Sequence, residues 1–245
     1  MPHERLQLPL PFPHQPGYAA LDFVPDDSNR DALAWLSRSA GWPDRRLAVW
    51  GQGGCGKSHL LNVWAEQSAA ALLVGQTLRG LDSVPETGAL VLDDADTVAD
   101  ERVLLHLLNT ARDRGLVLLL SGRTPPARWP VRLPDLRSRL KAITAVEIQP
   151  PGDALLRALL MRMAADRQLI MGEAVQEWLL RRLPRSPSAL REAVARLDRA
   201  SMACQQPITR SFAARVLDMA EIAVADADEF FISSEPPSPR LAGFL

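Results

Sequence analysis

Up to about residue 150 the chain alternates short, wholly apolar runs with longer stretches whose apolar positions recur at helical spacing. The short runs, Leu47–Trp50, Ala71–Val74, Ala89–Asp93, Leu116–Leu120 and Ile143–Ile148, read as strands. Unbroken hydrophobicity implies burial on both faces, as in a parallel sheet covered by helices. Helical spacing marks Lys57–Gln67, Glu101–Arg114 (closed by Gly115) and a short piece at Asp135–Leu140. Ahead of these, Ser28-Asn-Arg-Asp31 fits a capping box opening a helix through Trp35 and Leu36, stopped by Gly41 and Pro43. After Pro150-Pro151-Gly152 only helical periods remain, at 153–167, 173–183, 187–203 and 210–223. The first twenty residues are rich in proline and poor in charge, which favours extended backbone and supports no core. The expected fold is α/β with a parallel sheet, followed by a small all-helical lid. Its expected limits are an extended segment over 1–20, the α/β body over 21–150, the lid over 151–224 and an acidic, Pro/Ser-containing tail over 225–245, with Phe230-Phe231 inside it.

One strand-to-helix junction carries chemistry. Gly51-Gln-Gly-Gly-Cys-Gly-Lys-Ser58 fits G-x-x-x-x-G-K-[ST] at every fixed position, between an apolar strand and a helix. Such a loop cradles phosphates. Gly51, Gly53, Gly54 and Gly56 let successive N–H groups converge, and the following helix adds its positive end. Lys57 would reach the outer phosphates and Ser58 would help hold Mg²⁺. Cys55 is either a thiol made acidic by the helix terminus or a small residue that fills the loop.

Three further patterns extend this site. Leu90-Val-Leu-Asp93-Asp94 is an apolar strand ending in two carboxylates, expected beside the P-loop strand. There Asp93 would share Mg²⁺ with Ser58 and Asp94 would polarise a water; without the P-loop the pair would be a solvated turn. Leu118-Leu-Leu-Ser121 ends in a hydroxyl that meets either the γ-phosphate or nothing beyond the strand exit. In Leu136-Arg-Ser-Arg-Leu140 the two arginines point different ways. One would lie on the protein's own surface and the other project, either as plain surface charge or to act in trans on a neighbour's nucleotide.

Composition narrows the partners. Of 28 basic residues only Lys57 and Lys141 are lysine, so a compact point charge is retained where it must enter a tight loop. A net charge of −1 gives no bulk attraction to nucleic acid or anionic lipid. Cys55 and Cys204 form no disulfide framework, and His3, His14, His59 and His106 offer no ligand pair. No apolar run is long enough for a membrane span, and prolines occupy the place of a signal-peptide core. The expectation is a soluble cytoplasmic protein.

Together these motifs resemble the AAA+ fold, and within it the DnaA branch. Phe23-Val-Pro-Asp-Asp-Ser-Asn-Arg30 is similar to the segment lining the adenine pocket there. Gly56-Lys-Ser-His59-Leu continues the P-loop as that branch does, and Thr124-Pro-Pro126 resembles its sensor 1 exit. Arg139 stands where the branch carries its arginine finger. Arg196-Leu-Asp-Arg-Ala-Ser201 resembles the lid of the Hda (HdaA) family, DnaA-related regulatory inactivators of DnaA. Gln7-Leu8-Pro9-Leu10-Pro11-Phe12 resembles the hexapeptide that docks on the sliding clamp, the beta subunit of DNA polymerase III. The Gln7 amide offers a donor and an acceptor, Leu10 and Phe12 suit an apolar groove, and the prolines lower the ordering cost.

The resemblance spans about residues 5–220. It implies ADP or ATP with Mg²⁺, held by Gly51, Gly53, Gly54, Cys55, Gly56, Lys57, Ser58, His59, Asp93 and Ser121. It implies Arg139 acting in trans, Asp94 as a candidate base, and clamp binding through Gln7, Leu8, Leu10 and Phe12. The implied partners are the clamp and DnaA, with homo-oligomers possible; the implied role is negative regulation of replication initiation by stimulating hydrolysis of DnaA-bound ATP at the clamp or nucleoid. Two positions depart from the branch. Arg123 stands where an Asp is usual, and Ser188 falls at the sensor 2 arginine, with Arg185 and Arg191 out of register. These departures argue against autonomous hydrolysis, although Asp93-Asp94 keeps an ATPase or loader open. A DNA-binding initiator paralogue is disfavoured. The chain ends soon after the lid, and Gln205 to Leu245 holds three arginines against six carboxylates.

Overall fold

A computed structural model describes residues 24–218; Gln7–Phe12, Phe230-Phe231 and the rest of both termini lie outside the described residues. The α/β body runs α1 Arg30–Leu36, β1 Arg46–Trp50, α2 Lys57–Gln67, β2 Ala71–Val74, β3 Ala89–Asp93, α3 Glu101–Asp113, β4 Val117–Gly122, α4 Pro134–Lys141 and β5 Ala145–Glu147. The helical segments α5 Asp153–Ala165, α6 Glu173–Arg182 and α7 Pro187–Cys204 follow, and residues 210–218 form α8. The strands make one sheet in the order β2-β3-β4-β1-β5, and every pairing is parallel.

That order corrects one expectation. The acidic strand β3 is not beside the P-loop strand β1, because β4 lies between them. Each parallel connection is a crossover, so sequence order leaves neighbours open. Here β2 and β3 are laid down away from β1, and β4 returns to fill the gap. Val49 of β1 therefore stands opposite Ser121 of β4, and Ser121 reaches sideways to the end of β3.

The central strands are buried on both faces, as their unbroken apolar runs require. On one face Leu90, Leu92, Leu118 and Leu120 pack against Leu104, Leu107 and Leu108 of α3 and Leu136 and Leu140 of α4. On the other, Leu47, Val49, Val91 and Leu119 pack against Leu60, Leu61 and Trp64 of α2, with Trp42 stacked on Trp64 at 5.3 Å between ring centroids. A third core draws only on residues from Leu156 to Leu217. β2 departs from the two-faced reading: it is an edge strand, and Leu72 and Val74 on its outer face are exposed.

Several boundaries shift. β4 extends through Ser121 and Gly122, which pair with β1, and β5 shrinks to Ala145–Glu147. The capping box at Ser28 does not form. Asn29 is the N-cap of α1 and makes no capping bond; its Oδ1 accepts from the Asp26 N–H at 3.0 Å and its Nδ2 donates to the Val24 carbonyl at 3.1 Å. A local side-chain turn has captured the residue that would have capped the helix. α1 then ends at Leu36, ahead of Gly41 and Pro43, which lie in two short 3₁₀ turns.

Glu101, the first residue of α3, fixes the neighbouring helix. Its carboxylate accepts the N–H groups of Arg132 at 2.8 Å and Leu133 at 2.8 Å, and Leu133 is the N-cap of α4. These bonds, Leu133 first and Arg132 next, hold the Glu101 carboxyl below its ordinary range. A depressed carboxylate adds stability above its unfolded pKa and loses it as pH falls through the folded value. Glu101→Gln is therefore expected to lower the melting temperature at pH 7, with a gap to wild type that closes toward pH 3. Melts across that range check it; an unchanged gap at low pH would contradict the charge-based account.

Candidate functional site

The P-loop opens where β1 stops. The Gly51 N–H donates to the Gly122 carbonyl of β4 at 3.2 Å, so the loop springs from the sheet at a fixed point. Gly56, at φ +105°, is the N-cap of α2, which has no side-chain cap. Only glycine adopts this backbone without strain, and it leaves the first N–H groups of α2 clear of capping side chains. Lys57 is 6% exposed, and its Nζ donates to the Gly51 carbonyl at 2.8 Å and the Gln52 carbonyl at 3.0 Å. A buried ammonium wrapped by neutral carbonyls, beside an uncapped helix start, fits an anion. This donor set suits nucleotide phosphates: Lys57 and the loop N–H groups would hold them, and Ser58 with Asp93 would hold Mg²⁺.

Cys55 belongs to the filling of the loop. Burial pushes its thiol above the ordinary cysteine value, and Lys57 opposes this only in part. The acidified-thiol reading does not hold.

Ser121 lies at the end of β4. It is fully buried, and its hydroxyl donates to Asp93 Oδ1 while accepting the Asp94 N–H at 2.8 Å. It clasps the two acidic residues across the β3–β4 seam. Asp93, 7% exposed, is held with one oxygen committed to this clasp. Asp94 sits in the left-handed region at φ 49°, a conformation that costs a non-glycine residue energy and is over-represented at functional sites. Burial raises the Asp94 carboxyl above its usual range, with Asp93 and Asp96 adding to the rise and Lys57 and Arg123 opposing it. The P-loop lysine and the acidic strand end are thus electrostatic neighbours. The Arg123 N–H donates to Asp96 Oδ2 at 2.7 Å, and its side chain is exposed.

The lid touches this loop. A methyl group placed on Gly54, at φ +78°, would lie 2.7 Å from Ser186 Cβ and 3.0 Å from Ser188 Oγ. Ser186 is the N-cap of α7 and accepts the Ala189 N–H at 3.2 Å; its hydroxyl also lies 3.1 Å from that of Ser188. Ser188 therefore occupies the lid position that meets the phosphate loop, and Ser186, not singled out by motif, joins it. Its signal was the N-cap hydroxyl ahead of Pro187. Arg185 pairs with Asp153 at 2.6 Å on the surface. Arg139 lies on α4, bonded through Nε and Nη2 to Asp135 at 3.0 and 3.2 Å, while exposed Arg137 donates to the Val131 carbonyl at 2.6 Å.

Residues 153–217 match the family described as Hda, lid domain. Over that stretch the chain is similar to the Hda lid. An uncharacterized protein of Haemophilus influenzae is 28% identical over 229 residues, covering 87% of this chain and 99% of that one. Domain III of the Thermotoga maritima replication initiation protein DnaA superposes with a TM-score of 0.69 at 18% identity, over 84% of this chain and 98% of that chain. DnaA from Aquifex aeolicus, solved with AMPPCP bound, gives a TM-score of 0.58 at 16% identity, over 74% of this chain and 65% of that chain. The Hda-like segment Arg196–Ser201 proves to be lid framework. Arg196 donates to the Val216 carbonyl at 3.2 Å, anchoring α8, and Asp198 lies 3.8 Å from Arg167. Among the described residues no helix is long and apolar enough to cross a membrane.

Asp94 supplies a direct test of the site's electrostatics. A carboxyl with a raised folded pKa adds stability below its unfolded pKa and loses it as pH rises through the folded value. Asp94→Asn is expected to melt above wild type at pH 7, with the advantage vanishing at pH 3, where the wild-type carboxyl is protonated. Thermal melts at the two pH values check this, and a destabilised variant at pH 7 would overturn it.

Proposed function

We propose that this Hda-like protein regulates replication initiation by acting on DnaA, with nucleotide held in its own P-loop as a structural element. The observation that carries this reading is the lid's approach to Gly54 through Ser186 and Ser188. With an Hda-type lid over a DnaA-like body, the site suits retention of ADP or ATP with Mg²⁺ better than rapid turnover. Residues 21–150 form the nucleotide body and 151–224 the lid. Lys57, Ser58 and Asp93 hold the nucleotide. Ser121 acts behind them as a positioning residue.

In this reading Arg139 completes DnaA's ATP site in trans. Its pairing with Asp135 is a parked state. An i,i+4 helix pair is worth about 0.3–0.5 kcal/mol, so a partner's phosphate draws the side chain away at little cost. Gln7–Phe12 tethers the protein to the sliding clamp, raising the local concentration so that each contact can be weak.

A DnaA ATP-hydrolysis assay with DNA-loaded clamp tests both parts. Wild type is expected to stimulate hydrolysis. Arg139→Ala should lose on the order of 10³-fold of that stimulation while still being captured by clamp. Gln7→Ala should lose clamp capture but keep nucleotide binding. Full stimulation by Arg139→Ala would remove the finger assignment, and unchanged clamp capture by Gln7→Ala would remove the tether. Turnover by the isolated chain, abolished in Lys57→Ala, would favour an autonomous ATPase instead.

A further inference from the structure

The edge of the sheet opposite the P-loop holds a charged group that the site above does not use. Arg46 opens β1 and Gly51 follows its far end, so about 16 Å of strand separates the two. Arg46 is 8% exposed, and among the described residues no oxygen accepts a hydrogen bond from its guanidinium. Buried charges are ordinarily paired, because removal from water is costly. None of its nitrogens is among the described side-chain atoms both sealed from water and unpartnered, so the guanidinium keeps a solvent-facing edge. A small solute can reach it.

Three elements converge there. Arg46 stands opposite Leu118 of β4, just after the end of α3, where the Leu116 N–H donates to the Ala111 carbonyl. The Ala48 N–H donates to the Thr144 carbonyl, just past the end of α4. The last turns of those helices carry Arg112 and Arg139. Burial lowers the Arg46 pKa below the usual arginine value, Asp44 opposes this, and Arg112 and Arg139 add to it. The carboxylates at hand are Asp44, Asp113 and Asp135. Asp113 lies 3.3 Å from Arg112 and Asp135 holds Arg139, and none of the three bonds to Arg46.

We propose that Arg46, flanked by Arg112 and Arg139, forms a second anion site, at the base of the sheet, for a phosphate oxyanion. Guanidinium forks match phosphate bidentately, and three cations favour a multiply charged oxyanion over a single carboxylate. The phosphate has two sources: free inorganic phosphate, or the partner-bound nucleotide that Arg139 meets in the function proposed above. Only the second source rests on that function.

Inorganic phosphate is the probe, added to the full-length Lys57→Ala protein so that the P-loop is weakened, with chloride of equal ionic strength as control. The melting temperature is expected to rise saturably, by about 2–5 °C at ten times Kd. The rise should vanish when Arg46→Met is added. In phosphate-free buffer Arg46→Met should melt no lower than its parent, since methionine fills the buried stem without an unpaired charge; an arginine with a purely structural role would give a drop. Arg112→Ala, at an exposed position, should weaken phosphate binding and serves if Arg46→Met does not fold. Absence of a phosphate-specific rise in Lys57→Ala, or its persistence in the Arg46→Met double variant, overturns the site. Given the rise, loss of DnaA stimulation by Arg46→Met names the partner's nucleotide as source, and unchanged stimulation names free phosphate. If Arg139→Ala stimulates fully, the trans function fails while the phosphate titration still decides the site.

Discussion

A single buried hydroxyl determines where the acidic end of the sheet points. Ser121 donates to Asp93 and accepts from the backbone of Asp94, so β3 and β4 are joined at their tips as well as along their ladder. Without a donor, Asp93 at 7% exposure would be a poorly satisfied buried carboxylate, which is expensive. With one, its second oxygen is left for another ligand. The same bond holds Asp94 in a left-handed turn that its own backbone disfavours. The order β3-β4-β1 makes this possible, because β4 touches the P-loop strand on one side and the acidic strand on the other. The Ser121 hydroxyl sets the position of both acidic residues.

The second constraint is steric. Gly54 admits the start of α7 because it has no side chain, and the lid arrives carrying Ser186 and Ser188. Hydroxyls can accept or donate a hydrogen bond but cannot follow the charge that separates ATP from ADP. Under the function proposed here, that neutrality suits a protein whose nucleotide sets a shape and whose arginine acts elsewhere. Burial of the Cys55 thiol and the close wrapping of Lys57 by loop carbonyls fit a loop stable before anything binds.

Much of this was legible in the chain. β2, β3 and α2 fall on the residues their hydrophobic pattern marked, because apolar runs bounded by glycine or charge leave few alternatives. The P-loop glycines, Lys57 and the acidic strand end follow from spacing alone. Three things did not. Strand neighbours are set by crossovers, which periodicity does not encode. The Ser28 capping box failed because Asn29 and Asp26 offered a competing local turn. Ser121 showed its position but not its partner, since a strand-end hydroxyl reads the same whether it faces a ligand or a neighbouring strand. Arg46 gave no signal at all: an arginine opening a strand looks like a solvated boundary until its burial is seen.

The two ends of β1 are electrostatic opposites in their state of satisfaction. At the P-loop end, Lys57 is buried yet bonded to two carbonyls, with Asp93 and Asp94 close by. At the other end, Arg46 is buried and has no such acceptor among the described residues, and Arg112 and Arg139 are bonded to carboxylates of their own helices. A fold retains a largely buried cation without a protein hydrogen bond only where packing over-determines it, where water reaches it, or where something outside the chain completes it. The ends of α3 and α4 tighten the case. Cations there are favoured by the helix dipoles, so Arg112 and Arg139 need no ligand to justify their places, whereas Arg46 lies on a strand and has no dipole to answer. The burden of explanation falls on that one residue. Its position near Arg139 sets the proposed trans chemistry and this cation on one surface, so a phosphate that draws Arg139 from Asp135 would at the same time approach a guanidinium that no oxygen among the described residues hydrogen-bonds.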